Sequence, residues 1–189
     1  MPALMPDVVA AAVFAAGTQP TLRGEVVTLR PWSTADAPAV HAAYRDPDIQ
    51  RWHVRSAVSE DEAAGLIERW CAGWSSGRDP QWAVTVGDVV AGRIGLRHMS
   101  PPAGLSEVAY WTVPRWRGRG VTPGALAVLT RWAFGAGFHR LEVSHSVRNL
   151  PSCRAATKAG FAPESVKRSA GLHSDGWHDV HVHVRIRGS

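Results

Sequence analysis

Cysteine is nearly missing from this chain. Cys71 and Cys153 are its two thiols, 82 positions apart in 189 residues and in no CxxC arrangement. That argues against a disulfide framework or a thiolate zinc site and suits a reducing cytoplasm. Long apolar runs are missing too: no stretch approaches the roughly 20 residues that cross a bilayer, so a soluble protein with no membrane partner is expected. The start, MPALMPDVVAAAVFAAG, has a short apolar core at Val8–Ala16 but no basic residue ahead of it. Asp7 is the one charge before Gly17, which is wrong for a secretory signal or an Arg-rich transit peptide. Residues 1–20 are read instead as an N-terminal extension with a short helix begun at Pro6-Asp7. Internal repeats and low-complexity linkers are also lacking, which leaves one domain, residues 21–189, of ordinary globular composition (45% apolar, 20% charged).

Acidic residues are scarce in the second half. Residues 1–109 hold 9 Lys and Arg against 12 Asp and Glu, a net −3; residues 110–189 hold 12 against 4, a net +8. A basic half faces something anionic. Its charge is scattered apart from one tight group at 115–119, which fits a compact polyanion better than a duplex, so nucleic acid is not the expected partner.

Hydrophobic patterning gives the order of elements. Glu25–Pro31 alternates as a strand, and Ser33 opens a helix with a capping serine and early acid. Residues 59–75 form a second helix, with Leu66, Trp70 and Trp74 four apart on the inward face. QWAVTVG, VVAGRIGLRHM and LSEVAYWTV read as an antiparallel meander. Gly118–Gly137 reads as a helix, RLEVSHS as a strand, and NLPSCRAATKAG as a helix with Pro151 in its first turn and Gly160 as its stop. Phe161–Arg168 and Trp177–Arg187 close the list. The fold class is therefore α+β, with about seven strands and flanking helices in one layer system.

The most informative stretch is VPRWRGRGVTPG, where a strand passes through glycines into a helix. Such a turn leaves several amide N–H groups at one spot, adds the partial positive charge of the helix dipole, and here brings Arg115, Arg117 and Arg119. A phosphate site follows from that; the plain alternative is a solvated Arg-Gly loop. No Walker lysine follows, since VTPG stands where GK[ST] is needed, and the GxGxxG fingerprint is incomplete. The ligand that remains needs a pyrophosphate but no metal-binding hydroxyl.

With those residues in view, the sequence resembles the GNAT superfamily of acyl-CoA N-acyltransferases, in particular the Rim-type group that modifies protein N-termini. The family's Arg/Gln-x-x-Gly-x-Gly/Ala signature is matched by Arg117 and Gly120, with Thr122 where Gly or Ala is usual; Arg115-x-x-Gly118-x-Gly120 is a second register. Downstream, Leu141–Phe161 is similar to the family's strand, N-x-x-S and helix ending in GF. The opening TLRPWSTADAPAV and the closing GWHDVHVHVRI extend the resemblance over about residues 20–187. It implies a single twisted, mixed, mostly antiparallel sheet, with acetyl-CoA as co-substrate and direct attack by an amine in a ternary complex. It implies coenzyme A contacts at Tyr110, Trp111, Thr112 and Val113 along a splayed strand edge. The pyrophosphate cradle would be Arg117, Gly118, Arg119, Gly120, Val121 and Thr122, with Asn149 and Ser152 beyond it. Ser152 stands where the family donates a hydrogen bond to the departing sulfur, or else caps its helix. A homodimer is the family habit.

For the base, Glu142 aligns with a catalytic glutamate of some relatives, while the Rim-type glutamate beyond GF has no counterpart in KRSAGLHS. Glu107 and His145 are alternatives, each also readable as a structural strand residue, and a water chain could replace all three. A lysine of pKa about 10.4 needs about 4 kcal/mol to be neutral near pH 7.4, an α-amine of about 7.7–8.0 less than about 1. A weak base therefore favours an α-amine, on a peptide N-terminus or a small molecule. Thr122 and the missing glutamate keep a non-catalytic acyl-CoA-binding module as the rival reading.

Three further features have two readings each. Val180, Val182, Val184 and Ile186 alternate with Asp179, His181, His183 and Arg185; His-x-His can hold zinc, but an edge strand with a polar solvent face is the expectation, hence no metal. Cys153 could carry an acyl group, against which the resemblance implies direct transfer. Trp52, Trp70, Trp74, Trp111 and Trp116 either line an acceptor cleft or fill the core.

Overall fold

The computed structural model of the protein describes residues 5–15 and 17–188. Its helices are α1 (Ala12–Ala15), α2 (Ala37–Tyr44), α3 (Pro47–His53), α4 (Glu60–Ser75), α5 (Val121–Gly135) and α6 (Leu150–Lys158). Its strands are β1 (Leu22–Arg23), β2 (Thr28–Arg30), β3 (Gln81–Val86), β4 (Val89–Ser100), β5 (Leu105–Thr112), β6 (Arg140–Ser146), β7 (Ala162–His173) and β8 (Gly176–Ile186). They make one sheet in the order β1-β2-β3-β4-β5-β6-β8-β7. Every neighbouring pair is antiparallel except β5 with β6. The α+β class and the mixed, mostly antiparallel sheet are as expected, with an eighth strand, the two-residue β1.

Both faces of the sheet are covered, which is why β3 is buried along nearly its whole length rather than on alternate residues. Trp82 and Val84 join the core that α5 covers with Leu126 and Leu129, whereas Ala83 joins a second core with Val40, Ile67 and Trp70 of α2 and α4. Trp70 and Trp74 are core residues, not cleft walls, whereas Trp111 packs in the core and also meets the cleft.

The local signals explain most helix ends. Ser33 and Asp36 form a capping box over a 3-10 turn, Thr34–Asp36, that leads into α2, and the Ser59 hydroxyl accepts from the Glu62 amide at the start of α4. Four expectations need correction. The helix at the arginine-glycine turn starts at Val121 rather than Gly118, because Gly118 and Gly120 take φ of 73° and 78°, outside the helical region. Pro6-Asp7 does not start α1, which begins at Ala12; residues 1–4 and 16 of the extension, and Ser189 at the far boundary, lie outside the described residues. The helix α3 was not expected at all. Finally, β8 is not an edge strand: it lies between β6 and β7, and its polar face is partly covered, with His183 only 2% exposed.

The N-terminal extension is packed down. Val9 is fully buried and Phe14 nearly so, Trp74 donates its indole N–H to the Gly17 carbonyl at 3.0 Å, and Gln19 donates to Gln81 O at 2.9 Å. Its residues complete the α5 core rather than trailing from it.

Candidate active site

The parallel pair β5 and β6 sets the site. Its register joins Leu105, Ser106 and Glu107 to Arg140, Leu141 and Glu142, and stops there. Past Glu107 the two strands part, and Val108–Thr112 keep β4 as their partner on the other side. The edge that opens is the Tyr110–Val113 stretch on which pantetheine was expected. Backbone groups left unpaired along it suit an amide-bearing ligand by the logic of strand addition.

Two helices begin at this opening. The start of α5 has Gly120 as its N-cap in the left-handed region and no side-chain cap, so its first-turn amides remain as donors. At the start of α6, Asn149 Oδ1 accepts from the Ser152 amide at 3.1 Å. The cap is therefore Asn149, not Ser152. The Ser152 hydroxyl is turned to another purpose: it lies 2.7 Å from the Tyr110 hydroxyl. Burial pushes the Tyr110 phenol up to about 12, with the Ser152 hydrogen bond acting against the shift. Both hydroxyls stay protonated at neutral pH.

A cleft of about 160 Å³ joins these features, lined by Tyr110, Trp111, Thr112, Arg117, Thr122, Asn149 and Ser152 together with Trp52 and His53 of α3. The carry-over residues Tyr110, Trp111, Thr112, Arg117, Thr122, Asn149 and Ser152 are thus brought together; Val113, Gly118, Arg119, Gly120 and Val121 continue the same turn outside its lining. Thr122 Oγ1 is 2.7 Å from Thr112 Oγ1, so the hydroxyl that replaces the usual small residue is tied to β5.

The arginines divide. Arg117 is held by Asp46 at 2.5 Å and Asp48 at 2.9 Å, and donates from Nε to Thr112 O at 3.2 Å. Arg115 and Arg119 form no ion pair among the described residues and lie over the Trp116 ring at 5.9 and 5.7 Å. The charge open to an anion belongs to those two.

A second hollow, about 530 Å³, continues from the first past Trp52, His53, Tyr110 and Ser152 to Glu107, His98, His145 and His173. Glu107 faces it, with Arg97 at 2.5 Å and His98 at 3.2 Å. Glu142, although its register partner, lines neither hollow; Arg140 holds it at 2.7 Å and also bridges to Glu164. Only Glu107 of the two carboxylates meets the opening.

Residues 27–162 match the family model for the acetyltransferase (GNAT) domain. The chain belongs to the GNAT acetyltransferase family. No curated protein sequence matches it. Among solved structures it is similar to RimL, a ribosomal L7/L12 alpha-N-protein acetyltransferase in complex with coenzyme A, at 19% identity, covering 88% of this chain and 98% of that one, TM-score 0.79. It is similar to the microcin C7 self-immunity acetyltransferase MccE with acetyl-CoA and AMP, at 15% identity, 86% and 93% coverage, TM-score 0.78. A protein described as a GNAT-family acetyltransferase from Chromobacterium violaceum ATCC 12472 shares 24% identity over 100% of this chain and 98% of its own, TM-score 0.78.

In this GNAT chain, sequence reasoning missed α3 and the Tyr110 hydroxyl. The first had signals: Asp46 accepts from Ile49 N as the cap, Pro47 is in the first turn, and Arg51 and His53 are in the last. His53 is kept neutral, its pKa driven down to about 3 by burial and then by the Arg93 guanidinium. The hydroxyl pair had none, since Tyr110 and Ser152 are 42 positions apart.

Proposed function

We propose that this enzyme moves an acetyl group from acetyl-CoA to an α-amine, or a small-molecule amine of similar pKa, by direct attack in a ternary complex. The observation that carries the reading is the Tyr110–Ser152 hydroxyl pair, 2.7 Å apart at the floor of the splay. A thiolate leaving from a thioester needs a proton or a hydrogen bond, and two coupled hydroxyls beside the strand edge can supply it. Coenzyme A seen with RimL and acetyl-CoA with MccE support the donor. In this reading the pyrophosphate rests on the amides of Gly118–Thr122 with Arg115 and Arg119, and Arg117 braces the turn through Asp46 and Asp48.

The acceptor approaches through the hollow that Glu107 faces. Glu107, ion-paired with Arg97, is the acid that faces the amine in this reading, and a weak base suffices for an α-amine but not for lysine. RimL, named for alpha-N-acetylation, supports that preference. Residues 21–189 are read as the catalytic domain, with 1–20 as a docked extension. Two free cysteines suit a cytoplasmic protein, no described helix is long and apolar enough to cross a membrane, and the homodimer of the family habit is part of the reading.

The test is release of coenzyme A thiol from acetyl-CoA in the presence of peptides with free N-termini, aminoglycoside-like amines, and N-terminally blocked lysine peptides. Release with the first or second class is expected. Acetylation of lysine side chains alone overturns the preference, and binding without release to any amine returns the rival, an acyl-CoA-binding module.

A further inference from the structure

Beneath the acceptor hollow, three strand and helix elements bring together His145 of β6, Cys153 of α6, and His181 and His183 of β8. One ligand atom from each lies within 4.8 Å of all the others. The His-x-His spacing on β8 shows half of this set in the sequence, and the fold brings His145 and Cys153 to it from β6 and α6. We propose that these four side chains bind one zinc ion, in a tetrahedral site with three imidazoles and one thiolate.

Hydrogen bonding already sorts the ring nitrogens for that task. His145 Nδ1 is 2.8 Å from the Ser146 carbonyl, and His183 Nδ1 is 3.4 Å from the Phe161 carbonyl. Each ring thus spends its N–H on a backbone acceptor and leaves the Nε2 lone pair for the cluster, the arrangement that orients histidines at metal centres. His145 Nε2 and His181 Nδ1 are buried without a hydrogen-bond partner. Unpartnered nitrogens on two rings of one cluster are costly, and a shared cation offers them a partner. His183 Nε2 and Cys153 Sγ are 3.7 Å apart, close to the roughly 3.6 Å edge of a tetrahedron with zinc–nitrogen bonds of about 2.0–2.1 Å and a zinc–sulfur bond of about 2.3 Å.

The donor set selects the ion. Three imidazoles with a thiolate suit a borderline-soft, tetrahedral cation, and hard oxygen-seeking cations find no carboxylate here. On binding, the Cys153 thiol gives its proton to solvent and a sulfur–zinc bond forms, with no change of oxidation state. Four protein ligands leave no open position, so the ion is structural. Acetyl transfer does not use it. Its effect is to tie the first turn of α6, next to Ser152, to β6 and β8.

The experiment uses the full chain, untagged and stripped with a chelator, titrated with Co²⁺ as a spectroscopic stand-in and then with Zn²⁺. One equivalent of Co²⁺ should bind with the visible bands of a tetrahedral complex and a thiolate-to-cobalt charge-transfer band, and Zn²⁺ should displace it. Cys153→Ser should lose the charge-transfer band. His181→Gln and His183→Gln should each weaken Co²⁺ by more than about 100-fold, beyond the roughly 10–100-fold cost of disturbing a group outside the ligands. Should a variant fail to fold, the wild type still decides: Zn²⁺ should protect Cys153 from alkylation while exposed Cys71 reacts at an unchanged rate. No saturable uptake, an octahedral spectrum, an unaltered spectrum in Cys153→Ser, or unprotected Cys153 would each overturn the site.

Discussion

The starts of α5 and α6 border one opening, and they are built in opposite ways. At α6, Asn149 caps the helix and fixes a side chain, Ser152, against Tyr110. At α5, a left-handed Gly120 leaves the first-turn amides uncapped. In the proposed function the contrast separates two jobs: a start satisfied from within positions a reacting group, and a start left unsatisfied receives an anion from outside.

The sharpest way to break the comparison is at the capped start. Tyr110→Phe with Ser152→Ala should lower kcat by about 10²–10³ with little change in the KM for acetyl-CoA; an equal rise in KM would place the pair in donor binding instead. At the uncapped start, Gly120→Val forces a branched residue into positive φ at about 1–2 kcal/mol. Although a Cβ there meets nothing within 4 Å, donor affinity by calorimetry should fall with the misplaced amides. Between the two starts, His53 makes stability pH-dependent. Its folded pKa lies far below its unfolded value, so the unfolded chain binds the extra proton as pH drops from about 6.5 toward 3, and stability falls over that window by up to about 1.4 kcal/mol per pH unit. Thermal melts of wild type and His53→Gln across that range check it, with a flatter curve for the variant. Reversing Arg115 and Arg119 to Glu should weaken acetyl-CoA about tenfold, or about 1.4 kcal/mol, and flatten the salt dependence. The smallest effect is at the Asn149 cap: Asn149→Ala should cost about 1 kcal/mol, or roughly 2–4 °C in Tm.

Much of this contrast was legible in the sequence. The glycines at 118 and 120, the N-x-x-S spacing and the strand run LSEVAYWTV are local, and local chemistry dictates the turn, the cap and the strand. What escaped was set by pairing at a distance. Arg117 reads as a phosphate ligand until α3 brings Asp46 and Asp48 to it from 71 and 69 positions away. α3 is two turns long, too short for periodicity to declare it, although Asp46 and Pro47 mark its start. Glu107 and Glu142 are indistinguishable as strand acids; the three-residue register of β5 with β6 sends one to the opening and leaves the other with Arg140. The alternation of β8 is visible in the sequence, but neither its place between β6 and β7 nor the packing of α6 over His183 is encoded by alternation.

The short ladder between β5 and β6 has a thermodynamic corollary. The rungs cease after Glu107 and Glu142, so the open edge of β5 follows from strand register alone. If a pantetheine arm seats there as proposed, no rung of the sheet has to break to admit it, and its binding energy is kept for holding it in line.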